Sequence, residues 1–143
     1  MSNIRLIAAG RLKNGPLHEL SEEYVKRLAG LITIQEIDSR RNETENLKAA
    51  IPKNCFLIAL DENGKDFSSE DFAIQWQKWK EAHSNICLII GGADGLDGSI
   101  LKAAKVKLAL GKLTWPHLLA RVMLLEQIYR AEQILKGHPY HRV

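Results

Sequence analysis

The sequence predicts an α/β fold in which helices flank a mostly parallel sheet of five or six strands. Short apolar runs alternate along the chain with amphipathic stretches of helical length, which is the pattern of repeated strand–helix–strand units. The run 86–90 is apolar at every position, as expected of a strand covered on both faces. A length of 143 residues, of which 45% are hydrophobic and 26% charged, suits one soluble domain over 1–143.

The first part of the chain is predicted to alternate between strands and helices. The apolar run 4–9 predicts the first strand, and the stretch 17–28, with apolar residues at helical spacing, predicts the helix after it. The run 31–37 predicts the second strand. After the polar loop 40–45 comes a short helix that ends before Pro52, because proline has no amide hydrogen to donate.

The middle of the chain is predicted to continue this alternation. Apolar residues 55–60 predict the third strand, which is expected to end at the Asp-Glu-Asn-Gly turn signal of 61–64. The segment Ser68-Ser69-Glu70-Asp71 matches the capping box that opens a helix. The apolar run 86–90 is the fourth strand.

The last part is predicted to hold a short helix at 96–104, a fifth strand at 106–110 and a long helix at 116–135. The long helix has a proline at its start and Gly137 after its end, an arrangement that is common in helices. Its apolar residues lie almost all the way round, so we expect one side to pack on the sheet and the other on a partner surface. A second copy of the chain is the simplest partner.

Two glycine-bearing segments follow predicted strands and indicate a ligand site. Residues 91–95 follow the fourth strand, and residues 110–116 close the fifth. In an open parallel sheet, ligands bind beyond the carboxyl ends of strands, where glycine lets backbone amides approach closely. If the two strands are neighbours, the segments form one crevice, with Leu60 as a third wall and Leu113 and Trp115 suited to an adenine-like ring. A plain tight turn is the alternative, since the dinucleotide and P-loop glycine patterns are both missing from the sequence.

The C-terminal residues are rich in functional groups for a chain end. Three interpretations stay open: a metal site shared by His138 and His141, a disordered tail, or direct action of the side chains on a ligand. No cysteine or carboxylate lies at a recognised metal-ligand spacing, which disfavours a metal. In the third interpretation Tyr140 stacks on a base, Arg142 pairs with phosphate, and His141 hydrogen-bonds or moves a proton. His117, at the start of the long helix, is expected to be a hydrogen-bonded structural residue.

Charge and cysteine content limit the class of protein. The net charge of +3 permits an RNA partner but is too small to predict one. Cys55 and Cys87 lie in apolar runs, which indicates buried thiols in a reducing compartment, with the cytoplasm as the expected location. No apolar run approaches the roughly 20 residues that span a bilayer, so we expect no membrane partner.

Several motifs in the C-terminal half occur together. They are Leu88-Ile89-Ile90-Gly91-Gly92-Ala93-Asp94-Gly95, Leu113-Thr114-Trp115-Pro116-His117, Arg121-Val122, Glu126-Gln127-Ile128-Tyr129-Arg130-Ala131 and Pro139-Tyr140-His141-Arg142. Each motif alone is unspecific, but the combination resembles the RlmH (YbeA-like) family, bacterial ribosomal RNA large-subunit methyltransferases of the SPOUT class. The resemblance covers the whole chain in length and element order and is loosest in the N-terminal half.

The resemblance implies a topology, an oligomeric state and a cofactor. It implies a SPOUT-type C-terminal trefoil knot, in which the last segment threads through a loop, and a homodimer packed through the knotted region. It also implies S-adenosylmethionine as the cofactor, bound bent in the knot, and no metal. The matching cofactor positions are Leu60, Gly92, Gly111, Lys112, Leu113, Thr114, Trp115 and Pro116. Trp115 stands where related chains often carry a smaller aliphatic residue, a change that affects the shape of the pocket.

The reaction implied by the resemblance is methylation of N3 of a pseudouridine in 23S ribosomal RNA, on the assembled ribosome. Such an enzyme must align N3 with the methyl group and assist loss of the weakly acidic N3 proton. His141 is the first candidate to orient the base or accept the proton, and Glu126 is the second. Tyr140, Arg142 and Arg130 are expected to hold the RNA. The alternative function is a non-catalytic nucleotide- or RNA-binding module of the same fold.

Overall fold

The fold is given by a computed structural model that describes residues 2–142. Within these residues, strands and helices alternate regularly along the chain. In chain order the elements are β1 (Asn3–Ala9), α1 (Pro16–Arg27), β2 (Ile32–Ile37), α2 (Glu43–Ala50), β3 (Phe56–Lys65), α3 (Ser69–Ala82), β4 (Asn85–Ile90), α4 (Gly98–Ala103), β5 (Val106–Leu108) and α5 (His117–Leu135). The predicted α/β class is therefore confirmed.

The strands form one sheet in the order β2-β1-β4-β3-β5, and every pairing is parallel. Side chains of the central strand β4 alternate between the two faces. Ile86, Leu88 and Ile90 join one core cluster, whereas Cys87 and Ile89 join the other. Each of the five is at most 4% exposed, so β4 is covered on both faces, as its uniformly apolar sequence predicts.

The helices are divided between the two faces of the sheet. Helices α1, α3 and α5 pack on the face that carries Leu6, and α2 and α4 pack on the face that carries Ile7. Helix α3 begins where the capping box predicts, because the Ser68 hydroxyl accepts a hydrogen bond from the Asp71 amide at 3.0 Å. Its Trp76 is fully buried, which ties α3 to the core.

Helix α5 lies between α1 and α3 on the sheet. Every residue from His117 to Ile134 is buried or half-buried within the single chain, which confirms the prediction of a helix covered on most sides. The two flanking helices provide much of this cover. Leu118, Leu119 and Met123 keep part of their apolar surface open. That a second copy of the chain covers this side of α5 stays a prediction.

One condition and one expectation about the sheet are not met. Strands β4 and β5 are not neighbours, because β3 lies between them. Strand β3 also does not end at the turn signal. Leu60 and Lys65 both pair with Leu108, so residues 61–64 form an excursion within the strand. Its partner β5 is a short edge strand, and an edge tolerates extra residues that a central strand would exclude.

Three further expectations concern compartment and topology. Cys87 is buried, as predicted, but Cys55 is only half-buried. Within residues 2–142 no helix has both the length and the apolar character needed to cross a membrane. The trefoil knot stays a prediction of the resemblance.

Candidate functional site

A crevice of about 790 Å³ lies at the carboxyl edge of the sheet. It is lined by the turn after β4, by Leu60 and the excursion of β3, and by the segment after β5, so it forms across β3 although β4 and β5 are not adjacent. Parallel α/β sheets bind their ligands at this edge. The matched cofactor positions that line it are Leu60, Gly92, Gly111, Leu113, Thr114, Trp115 and Pro116. Lys112 does not line it, and its side chain is exposed.

The turn after β4 forms one wall of the crevice. The Gly95 amide donates to the Gly92 carbonyl at 3.0 Å, and Gly95 has a φ of 76°, which favours glycine. A Cβ on Gly91 would lie 2.6 Å from the Gly95 carbonyl, so this position also requires glycine. The segment is therefore a tight turn. Because the same turn lines the crevice, it does not exclude a ligand-binding role.

Glu43 contacts the same turn from the start of α2. The Gly92 amide donates to the Glu43 carboxylate at 3.4 Å, and a Cβ on Gly92 would collide with that carboxylate. The sequence analysis did not identify Glu43. It lies in a polar segment with no motif, and its only local signal is an acidic residue in the first turn of a helix.

The segment after β5 is fastened to the excursion in β3. The Thr114 hydroxyl donates to the Glu62 carboxylate at 2.6 Å, and the Trp115 indole N–H donates to the Leu110 carbonyl at 3.1 Å. Leu113 nevertheless remains 70% exposed and Trp115 39% exposed. Exposed large apolar side chains beside a crevice are typical of a ligand-binding or partner-binding surface.

His117 begins α5 and also lines the crevice. It lies close to Gly10, at which an added Cβ would be 3.7 Å from the imidazole Nε2. Its ring makes no hydrogen bond to another residue between 2 and 142. The hydrogen-bonded structural role of His117 stays a prediction.

The C-terminal tail packs against α3 and α5 through a network centred on Glu126. The Tyr140 hydroxyl and the Arg130 guanidinium both donate to the Glu126 carboxylate, at 2.7 Å and 2.8 Å. Arg130 also donates to His141 Nδ1 at 3.0 Å and lies over the Tyr140 ring, 4.9 Å from its centroid. The other ring nitrogen of His141 contacts Glu70 of α3. Four of the predicted catalytic and RNA-binding residues are thus in mutual contact, and the disordered-tail interpretation is wrong for these residues.

Burial and hydrogen bonds shift the pKa of two groups in this network, Tyr140 and Glu70. Burial, together with the nearby Tyr24 and Glu126, raises the pKa of Tyr140, so its hydroxyl stays a hydrogen-bond donor. The hydrogen bond from His141 lowers the pKa of Glu70, which favours its ionised form. Arg142, by contrast, is exposed.

The crevice and the tail network occupy different parts of α5. Glu126 comes nine residues after His117, which is roughly 13 Å along the helix axis. Between them lies a smaller cavity of about 370 Å³, which is lined by Gly111 on one side and Glu126 on the other. Within residues 2–142, no three or more His, Cys, Asp or Glu side chains are grouped so as to hold a metal ion.

Comparison with known proteins identifies close relatives. The family described as Predicted SPOUT methyltransferase matches residues 2–141. The Ribosomal RNA large subunit methyltransferase H of Rhodospirillum centenum is 46% identical over 147 aligned residues, which cover 96% of this chain and 97% of that protein.

Two solved structures have a similar fold. A probable methylase family protein from Haemophilus influenzae superposes with a TM-score of 0.62 at 11% identity, covering 99% of this chain and 71% of that one. The Ribosomal RNA small subunit methyltransferase E from Neisseria gonorrhoeae, bound to S-adenosyl methionine, gives a TM-score of 0.55 at 14% identity, with 94% and 66% covered. Together, the family match over residues 2–141 and the 46% identity along nearly the whole length show that the chain belongs to the SPOUT methyltransferase family.

Proposed function

We propose that this chain is an S-adenosylmethionine-dependent methyltransferase that modifies N3 of a pseudouridine in 23S ribosomal RNA on the assembled ribosome. The observation that carries this function is the crevice at the carboxyl edge, which is lined by every matched cofactor position except Lys112. The name of the Rhodospirillum centenum relative supports large-subunit ribosomal RNA as the substrate class. A ribosomal substrate also makes the cytoplasm the expected compartment.

The residues of the crevice fit S-adenosylmethionine. Its volume of about 790 Å³ lies within the range of roughly 300–1,000 Å³ that small-molecule sites occupy. Leu60, Leu113 and Trp115 provide apolar surface for an adenine ring. Gly95 and Gly111 leave the backbone open to polar groups of a ligand, since nothing lies within 4 Å of a Cβ at either position. These residues would hold the cofactor, which supplies a methyl group already activated by its sulfonium.

The tail network would handle the acceptor base. We assign orientation of the base and acceptance of the N3 proton to His141 first and Glu126 second. Tyr140 and Arg130 would hold the RNA once the base enters. Arg142, which is exposed, would pair with phosphate.

We assign the joint action of the crevice and the tail network to a homodimer. Within one chain, Glu126 lies roughly 13 Å along α5 from His117 at the crevice. In a two-fold symmetric dimer, each tail network can face the crevice of the other subunit. The half-buried Leu118, Leu119 and Met123 offer an apolar surface for such a contact.

Methyl transfer from labelled S-adenosylmethionine to ribosomes that lack the modification tests this function. We expect label in the large-subunit RNA, at a pseudouridine identified by mass spectrometry of nuclease fragments. Ribosomes prepared without pseudouridine serve as the matched control and should accept no label. Cofactor binding by calorimetry without any methyl transfer would instead favour the non-catalytic nucleotide- or RNA-binding module.

A further inference from the structure

Two loops meet at the carboxyl edge of the sheet, beside the crevice. The first, residues 10–15, joins β1 to α1, and the second, residues 38–42, joins β2 to α2. The Leu12 amide donates to the Glu36 carboxylate at 2.8 Å, and the Gly10 amide donates to the Ile37 carbonyl at 2.8 Å. These bonds hold the first loop against the end of β2, from which the second loop leaves.

The surface of these two loops carries four exposed cationic side chains, which we call the basic rim: Arg11, Lys13, Arg40 and Arg41. Four carboxylates lie on this surface or beside it: those of Glu36 and Asp38, and those of Glu43 and Glu45 in the first turn of α2. Glu43 contacts the Gly92 amide instead of the rim. Glu36 is already paired with the buried Arg121 at 2.5 Å. Asp38 pairs with Arg40 at 3.0 Å. An excess of positive charge therefore remains on a chain whose total net charge is only +3.

The second loop is held in place by hydrogen bonds from α2. The Asn46 side-chain amide, on α2, donates to the Arg41 carbonyl at 2.9 Å and to the Asp38 carbonyl at 3.3 Å. A fixed backbone lowers the entropy that Arg41 loses on binding a ligand.

The basic rim borders the crevice. A Cβ on Gly10 would lie 3.6 Å from the Ser39 hydroxyl and 3.7 Å from His117 Nε2, and His117 lines the crevice. A strand whose base enters the crevice would therefore pass its neighbouring phosphates close to the rim.

We propose that the basic rim binds the backbone phosphates of the RNA strand on either side of the nucleotide that enters the crevice. Guanidinium groups suit this ligand because they bind phosphate oxygens in a bidentate manner. Such contacts release counterions and position the strand without reading its sequence. This surface is separate from the tail residues, and its role as an RNA site rests on the proposed function.

Salt-dependent RNA binding tests the rim. The variant Arg11→Gln/Arg41→Gln is compared with Lys53→Gln/Lys105→Gln, which removes the same charge from exposed lysines just before β3 and β5, at the opposite edge of the sheet. The probe is a fluorescent RNA hairpin with pseudouridine in its single-stranded loop, titrated at several potassium chloride concentrations. We expect the rim variant to bind about tenfold more weakly and its log K against log salt slope to fall by about 1.5.

The control variant should keep the wild-type slope, and all three proteins should bind S-adenosylmethionine equally by calorimetry. An unchanged slope in the rim variant, or equal losses in both variants, overturns the proposal. Weaker cofactor binding in the rim variant also overturns it, since the rim would then act on the crevice. Methyl transfer is measured separately. A wild-type protein that binds RNA through the rim but transfers no methyl group contradicts the proposed function, whereas the proposal that the rim binds RNA still holds.

Discussion

At the residue scale, two glycines of the turn after β4 are needed for different reasons. Gly95 has a positive φ of 76° with open space around it, so its role is conformational. Gly92 has no such backbone, and a side chain there would meet the Glu43 carboxylate. Sequence analysis could find both glycines because they follow an apolar strand. It could not find Glu43, because the contact joins residues far apart in the chain.

We predict that Gly92→Ala weakens S-adenosylmethionine binding by about tenfold, or ~1.4 kcal/mol. The added methyl group forces the turn, which lines the crevice, or the Glu43 side chain packed against it to move. Calorimetric titration measures the change, with Gly98→Ala as the control because nothing lies within 4 Å of a Cβ at Gly98. The double variant Gly92→Ala/Glu43→Ala should recover part of the loss. Wild-type affinity in the single variant would contradict this explanation.

Arg121 is a second residue whose role depends on distant partners. It is 2% exposed, and its guanidinium donates to the Gly10 carbonyl at 2.8 Å and to Glu36 at 2.5 Å. Arg121→Met should lower the free energy of unfolding by about 2–3 kcal/mol, because a buried carbonyl and a carboxylate lose their donor. Urea unfolding measures this loss. Arg27 offers the control, because its ion pair with Glu23 is exposed and Arg27→Met should cost much less than Arg121→Met.

The ion pair between Arg121 and Glu36 also makes the free energy of unfolding depend on pH. Burial alone would raise the pKa of Glu36, but hydrogen bonds from the Leu12 amide and Arg121 lower it overall from 4.5. A carboxyl whose folded pKa is lowered contributes stability above its ordinary pKa and loses that contribution as the pH falls through the folded value. The difference in unfolding free energy between wild type and Arg121→Met should therefore shrink below about pH 4.5. A constant difference down to acid pH would contradict it.

At the element scale, α5 and the tail after it show what a sequence pattern can predict. The all-round apolar residues of α5 correctly predict a covered helix, because burial depends mainly on local composition. What covers it depends on tertiary packing, and here α1 and α3 provide much of the cover. The tail composition leaves both an ordered and a disordered tail open, because the pairing of His141 with Glu70 has no local signal.

We predict that a chain lacking residues 140–143 binds S-adenosylmethionine with wild-type affinity but loses methyl transfer. The tail network lies away from the crevice along α5, so its removal leaves the crevice walls in place. The substitution Tyr140→Phe is a smaller change at the same segment. It removes only the hydrogen bond to Glu126 and should reduce transfer less than the truncation does. Calorimetry measures the affinity for S-adenosylmethionine, and transfer of label from the cofactor measures methyl transfer. Full transfer by the truncated chain would show that the tail has no part in the reaction.

At the scale of the whole molecule, the class of fold was predictable and the arrangement of its strands was not. Alternating strands and helices lead to a parallel sheet because consecutive parallel strands require a crossover, usually helical. The position of β3 between β4 and β5 depends on long-range pairing, for which short apolar strands carry no distinguishing signal. The crevice was nevertheless located correctly at strand ends, since all parallel strands end at the same edge of the sheet.

Mixed dimers test whether crevice and tail act across subunits. One chain carries Gly92→Trp, which fills the crevice but keeps the tail, and the other lacks residues 140–143 but keeps the crevice. Each variant alone should transfer no methyl group. If the tail of one subunit serves the crevice of the other, co-expressed and doubly tagged mixed dimers contain one complete site and regain transfer. If both act within one chain, every site in the mixture stays incomplete and no transfer appears. Sedimentation analysis of the purified mixture confirms that the measured species is a dimer, and a monomeric wild-type protein with full activity would contradict the assembly.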